Sequence, residues 1–251
     1  MPVVHLLAAN INVGSHVQKF GLDLDTVWAT GAAMVVVLVL GLFLRARATS
    51  GVPGKLQLVW EMGVQAVRQQ VSGSIGPRGL TVVPLAVALF VFILVANWFS
   101  VLGIGSEIEW LPTPTSDINV TLALALVVIV PVHIASVRTR GLRGYIRHYV
   151  LQPFPKALFP VNIFINFVEE LAKPLTLALR LFGNLLSGAL MLALIAALGT
   201  WTLAHVPIGD ILTVLLNPVW KIFDLAIGAI QAFIFALLTI LYFDTAMAEA
   251  H

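Results

Sequence analysis

The chain contains no cysteine, so disulfides, thiolate metal sites and cysteine nucleophiles are excluded. It is also poor in charge. Lysine, arginine, aspartate and glutamate make up 10% of its 251 residues, against about 25% in soluble globular proteins. Enzyme signatures are missing as well: no Ser-His-Asp order, glycine-rich phosphate loop or metal-ligand cluster can be read. The six histidines (His5, His16, His133, His148, His205 and His251) never fall at ligand spacing and read as surface or interface residues. No metal or cofactor is therefore expected. Met1 to Asn10 lacks a basic stretch and no small-residue cleavage site follows, so a cleaved signal is not expected either.

What is present is apolar. Hydrophobic residues make up 59% of the chain, and the mean hydropathy is +0.99. These values identify an integral membrane protein. Residues 1–25 are mixed and are expected at one membrane face. A first span is predicted over 26–44, stopped by Arg45 and Arg47. Over 51–71, Leu56, Val59, Trp60, Gly63, Val67 and Val71 share one face, with Lys55, Gln57, Glu61, Gln65 and Arg68 elsewhere. That pattern predicts an amphipathic helix lying in the interface. Further spans are predicted over 79–103 and 118–137, the latter tolerating Pro131. Trp110 and Trp201 fall at span ends, where interfacial aromatics belong.

The net charge of +2 hides an asymmetry. Ten of the fourteen basic residues lie in the connections after the first and third spans. The loop holding Glu107, Glu109 and Asp117 has none. The positive-inside rule places the basic connections in the cytoplasm. The N-terminus is then expected outside and the C-terminus inside.

Two apolar runs remain, over 159–200 and 211–243, and each carries a polar stripe. Asn162, Asn166, Glu169, Lys173, Thr176, Arg180, Asn184 and Ser187 recur at the helical period on the first. Asp210, Thr213, Asn217, Lys221, Asp224, Gly228 and Gln231 do so on the second. The first run would make a helix of roughly 60 Å across a hydrocarbon layer of about 30 Å, so one strongly tilted helix is predicted. The second is predicted to behave likewise, with a bend near Pro218. Packed antiparallel with Arg180 near Gln231, they would place Gly188 near Asp224 and Asn184 near Gly228. The small residues around those positions permit close approach.

Arg180 decides how the stripes are read. A guanidinium amid hydrocarbon costs about 2.5–3.5 kcal/mol on insertion scales, and it does not escape by deprotonating. Neutral stripes alone would be interhelical glue, a reading that stays open for Asn184 and Gln231. With Glu169, Lys173 and Arg180 on one face, an ion path becomes the better reading. Asp224 is the group whose protonation matters, with an ion pair to Lys221 as its alternative role. Asp210 and Asp224 would offer a route from outside to mid-depth, and Glu169 with Glu170 or Lys173 one from the cytoplasm. Glu169 and Glu170 also read as a solvated helix end. Arg180 would stand between the routes, repelling protons and drawing a carboxylate on a partner. At an effective dielectric of about 20, charges 4 Å apart attract by roughly 4 kcal/mol before desolvation.

Lys173-Pro174-Leu175-Thr176-Leu177-Ala178-Leu179-Arg180-Leu181-Phe182-Gly183-Asn184 resembles the signature of subunit a of the F-type ATP synthases. Gln231-Ala232-Phe233-Ile234-Phe235 resembles its second signature, and Pro114-Thr115-Ser116-Asp117-Ile118-Asn119-Val120-Thr121 is similar to the family's entry to its third span. The resemblance implies an all-α membrane fold of five transmembrane helices plus one interfacial helix, the last two long and strongly tilted. It implies a bacterial cell-membrane subunit, not itself catalytic, that faces a ring of c subunits beside b-type stalk subunits and carries protons. Arg180 would separate two half-channels, with Asn184 and Gln231 as polar partners and Asp224 on the path from outside; Ser187 and Asp210 would accompany it. One departure stands out. Many bacterial members have a glutamate where Ala189 stands here and a histidine where Asp224 stands. Such a swap is expected of one bacterial branch, the actinobacterial one.

Two other classes fit the stripes less well. A secondary transporter would show repeated halves with paired broken helices, and no such symmetry is read. A purely structural subunit would leave Arg180 unexplained.

Overall fold

A computed structural model describes residues 18–19, 22–49, 51–102, 114–151, 158–199 and 208–247. Glu107, Glu109, Trp110, Lys156 and Trp201 lie outside the described residues. A two-residue antiparallel pair, β1 (Gln18–Lys19) and β2 (Leu22–Asp23), precedes the helices. Six helices follow among the described residues: α1 (Leu24–Arg47), α2 (Lys55–Ser74), α3 (Val83–Leu102), α4 (Ile118–Leu151), α5 (Phe159–Leu198) and α6 (Ile208–Met247). All but α2 are long and apolar enough to cross a membrane. The chain is an all-α membrane protein with five such spans. A helix suits this solvent because it bonds every backbone polar group within itself.

The helix starts follow local chemistry. Asp117 Oδ1 accepts the Asn119 backbone N–H at 2.7 Å, capping α4. Pro160 sits in the first turn of α5, where its missing N–H costs nothing. Short 3₁₀ turns at Pro77–Val82 and Pro114–Ser116 lead into α3 and α4. The α1–α2 corner is tied by Gln57, whose Oε1 accepts from the Thr49 backbone N–H at 3.2 Å and whose Nε2 donates to the Thr49 carbonyl at 3.0 Å.

The core sits where α3, α4, α5 and α6 meet. Phe92, Ile93 and Ala96 of α3 pack with Ala125 and Val128 of α4, Leu177 and Leu181 of α5, and Ala232 and Phe235 of α6. α1 lies at the periphery, touching this core through Ala33 and exposing Trp28, Leu38 and Leu42. α2 buries only Val71 fully. The rest of its apolar face looks across a groove of about 630 Å³ toward α3 and α6.

α5 and α6 each have 40 residues, about 60 Å of helix and twice the hydrocarbon thickness. Both continue unbroken through their internal prolines, Pro174 and Pro218. They run antiparallel, since Asn184 meets Gln231 and Ile195 meets Thr213.

The basic stretch after position 137 is helical as far as Leu151, with one break inside it. Gly141 takes φ 71 and ψ 161, a left-handed conformation that costs a side-chain-bearing residue roughly 1–2 kcal/mol. The break reverses what a straight helix would do. Residues 133 and 145 would lie about 18 Å apart along an unbroken axis. Here Tyr145 Oη is 3.0 Å from His133 Nδ1, and the two rings stand edge to face with centroids 6.2 Å apart. Gly141→Ala is therefore expected to lower stability by about 1–2 kcal/mol. Gly41→Ala, whose added methyl meets nothing within 4 Å, should be neutral or slightly stabilising. Thermal unfolding of the purified variants in detergent checks both.

Candidate functional site

Arg180 lies on the exposed side of α5. Among the described residues it makes no hydrogen bond and no ion pair. Around it Leu175, Leu179 and Leu186 are exposed, together with Thr176 of its own stripe. Ser187, one of the expected path residues, is also exposed and donates its hydroxyl back to the Gly183 carbonyl at 2.8 Å.

One polar cluster lies toward the C-terminal half of α5. Asn184 Nδ2 donates to Gln231 Oε1 at 2.7 Å, joining α5 to α6. Gln231 is 4% exposed. Its Nε2 is buried with no hydrogen-bond partner among the described residues. A buried unpaired amide donor costs about 1–3 kcal/mol, so the position calls for a water or a passing polar group. Beside it a cavity of about 10 Å³ is lined by Asn97, Leu181, Asn184, Asp224, Ile227, Gly228 and Gln231. That volume, with four polar residues around it, is about the minimum that holds one water.

Glycines let the carboxylate and the helices approach. A methyl at Gly188 would stand 2.9 Å from Asp224 Oδ1, so Asp224 occupies the space above Gly188 on the facing helix. Trp220 Nε1 donates to the Gly188 carbonyl at 3.3 Å and closes the same contact. At Gly228 a methyl would meet Asn97 Cβ at 3.0 Å. Asn97 Nδ2 donates to the Gly228 carbonyl at 3.1 Å and its Oδ1 accepts from Thr115 Oγ1 at 2.8 Å. Asp210 lies at the start of α6, 3.7 Å from where a Gly199 methyl would be, near the far end of α5. Lys221 makes no hydrogen bond or ion pair among the described residues, so the expected alternative pair with Asp224 is not formed.

A second cluster lies ten residues before Arg180. Lys173 Nζ stands 2.8 Å from Glu170 Oε1 and 3.1 Å from Glu169 Oε1. His133 Nε2 of α4 is 3.2 Å from Glu170 Oε2. Tyr145 extends the chain through its contact with Nδ1. These side chains are partly open: Glu169 is 58% exposed, Glu170 25% and His133 32%.

The antiparallel register thus puts Gly188 against Asp224, as the stripes predict. Asn184 shares its cavity with Gly228 but bonds Gln231, one turn further along. Sequence reasoning left four residues out of the site. Asn97 and Thr115 come from α3 and the turn before α4, and neither lies on a stripe. Asn97 was visible as an amide inside an apolar span. His133 and Tyr145 are brought together only by the Gly141 break, which no periodicity signals.

Residues 26–244 match the family model described as ATP synthase A chain. That span is most of the chain. It belongs to the ATP synthase A chain family. Relatives include ATP synthase subunit a of Acidothermus cellulolyticus, 50% identical over 249 residues, covering 97% of this chain and 86% of that one. ATP synthase subunit a of Mycobacterium ulcerans is 44% identical over 254 residues, 96% of each chain. The same-named protein of a Shewanella species is 38% identical over 214 residues, covering 80% and 78%. The actinobacterial resemblance is thus met among its relatives. Members of the family are membrane subunits of the proton-translocating Fo sector and not catalytic in themselves.

The Gly188–Asp224 contact carries a prediction. Gly188→Ala forces the Asp224 carboxylate to move, and proton flux through the complex in membrane vesicles should fall severalfold. Flux equal to wild type would show that the position of this carboxylate does not matter.

Proposed function

We propose that the chain is the stator subunit through which protons reach and leave a rotating ring of c subunits, coupling proton flow to rotation and ATP synthesis. Two offset half-channels serve the ring. The outer one runs past Asp210 and Asp224, with Ser187, Asn184 and Gln231 beside it. The cytoplasmic one runs past Glu169, Glu170 and Lys173. The N-terminus lies outside and the C-terminus in the cytoplasm of a bacterial cell, with b-type stalk subunits holding the assembly still. Protons are the carried ion.

The observation that carries this reading is Arg180, permanently charged, exposed on a mainly apolar helix face, and without a described partner. An insertion cost of about 2.5–3.5 kcal/mol needs compensation, and the described residues supply none nearby. An acidic partner would: a carboxylate at 4 Å gains roughly 4 kcal/mol at an effective dielectric of about 20. The position fits as well. Glu170 is about 15 Å from Arg180 along α5, and Gly188, with Asp224 over it, about 12 Å in the other direction. Neither polar cluster reaches past the arginine, so a proton crosses only by riding the partner's carboxylate. A membrane potential acts on that step with about 2.3 kcal/mol per charge per 100 mV.

Arg180→Ala is expected to abolish ATP-driven proton pumping in vesicles holding the assembled complex. Normal coupled pumping would remove the proposal. Asp224→Asn should impair proton flux while the complex still assembles, and undiminished flux would assign Asp224 to packing alone.

A further inference from the structure

The two half-channels differ in construction. The outer one has Asp224 beside amides, with Asp210 further out at the start of α6. The other contains a hydrogen-bonded series of titratable groups on two helices, Tyr145, His133, Glu170, Lys173 and Glu169, with successive atoms between 2.8 and 3.2 Å apart. We propose that His133 is the proton relay between cytoplasmic water and Glu170, held in position by Tyr145. This inference rests on the half-channel reading above.

The geometry assigns each atom a task. Tyr145 Oη, 3.0 Å from Nδ1, holds that side of the ring and leaves Nε2 to do the exchange. Nε2 faces Glu170 Oε2 at 3.2 Å, and the His133 side chain is 32% exposed, which leaves the ring open on one side for the water that the relay requires. A hydronium gives up one O–H bond as an Nε2–H bond forms, producing imidazolium. The Nε2–H bond then breaks as an O–H bond forms on Glu170, which returns the imidazole to neutral. The reverse sequence carries a proton outward. The charges are arranged for both steps: the Lys173 ammonium lies 2.8 Å from Glu170 Oε1, and Glu170 Oε2 faces the imidazole at 3.2 Å. Glu169, 3.1 Å from the same ammonium, competes for Lys173 and tempers its hold on Glu170. A purely structural contact would not need Tyr145 brought back across the Gly141 break to hold the far side of the ring.

The test uses intact ATP synthase in inverted membrane vesicles, with ATP-driven proton pumping followed across about pH 5–8, where imidazole side chains titrate. His133→Gln keeps a hydrogen-bonding side chain but does not titrate. It should assemble, pump more slowly and lose one limb of the wild-type pH profile. His133→Ala should reduce pumping on the order of tenfold, less than the 10²–10⁴ a positioned acid–base group contributes, because water offers a parallel route. Added imidazole should restore it. Tyr145→Phe should retain the limb but lower the rate. A His133→Gln profile identical to wild type overturns the relay, as does failure of imidazole to restore His133→Ala. Loss of the assembled complex in both His133 variants overturns it too, by assigning the residue to packing. If Arg180→Ala abolishes pumping while His133→Gln changes nothing, the relay alone fails. Normal pumping by Arg180→Ala would instead remove the half-channel reading beneath it.

Discussion

An ion that is always charged has to be balanced somewhere, and in hydrocarbon the balance has to be close. Arg180 finds no counter-charge among the described residues of its own chain. Every other cation on the two long helices differs from it. Lys173 is held by two glutamates, and Lys221, although unpaired, has four flexible carbons that let an ammonium reach an interface. Arg180 sits midway along a 40-residue helix, where neither remedy is available. The exposed apolar residues around it mark a surface that meets lipid or another subunit. A cation on such a surface is best matched by a neighbour bearing negative charge.

The same economy of polar groups organises the interior. Where a side chain is polar and buried, it returns a hydrogen bond to a backbone carbonyl or to a partner on another helix. Thr239 donates to the Phe235 carbonyl at 2.9 Å, Thr213 to Gly209 at 2.9 Å, and Asn97 to Gly228 at 3.1 Å. Against that background Gln231 Nε2 stands without a hydrogen-bond partner among the described residues, and it falls beside a small polar cavity between α3, α5 and α6. The open amide, beside a cavity about the size of one water, fits the proposed proton path.

Much of this arrangement was legible beforehand because lipid simplifies the code. Length and hydropathy pick out spans, and a helical period of polar residues picks out a face, since few polar groups are tolerated without cause. The antiparallel meeting of Gly188 and Asp224 followed from matching two such faces. What stayed hidden depended on contacts between elements with no common period. Asn97 joins the site from α3 because Gly228 has no side chain to hold that helix away. The His133–Tyr145 pair depends on a single left-handed residue, and nothing in the run of arginines around Gly141 announces that the helix turns there. His133 read as a surface residue because histidines were judged by spacing within one segment, whereas its partner Glu170 lies on another helix.

The departure from the family resemblance is also explained by space rather than by sequence position. In many bacterial members the acid is expected from the residue following the glycine at Gly188, on α5. Here that residue is Ala189, and the carboxylate comes from Asp224 on α6. Gly188, lacking a Cβ, leaves room for that carboxylate. A carboxylate oxygen from the opposite helix lies 2.9 Å from where that atom would be, practically on the α5 backbone. An acid on a short side chain reaches this point only across a glycine, whereas a longer acid on α5 would start from the same place. The proposed proton path uses a carboxylate beside Asn184 and Gln231. Which helix supplies it is free to change so long as the facing position stays small.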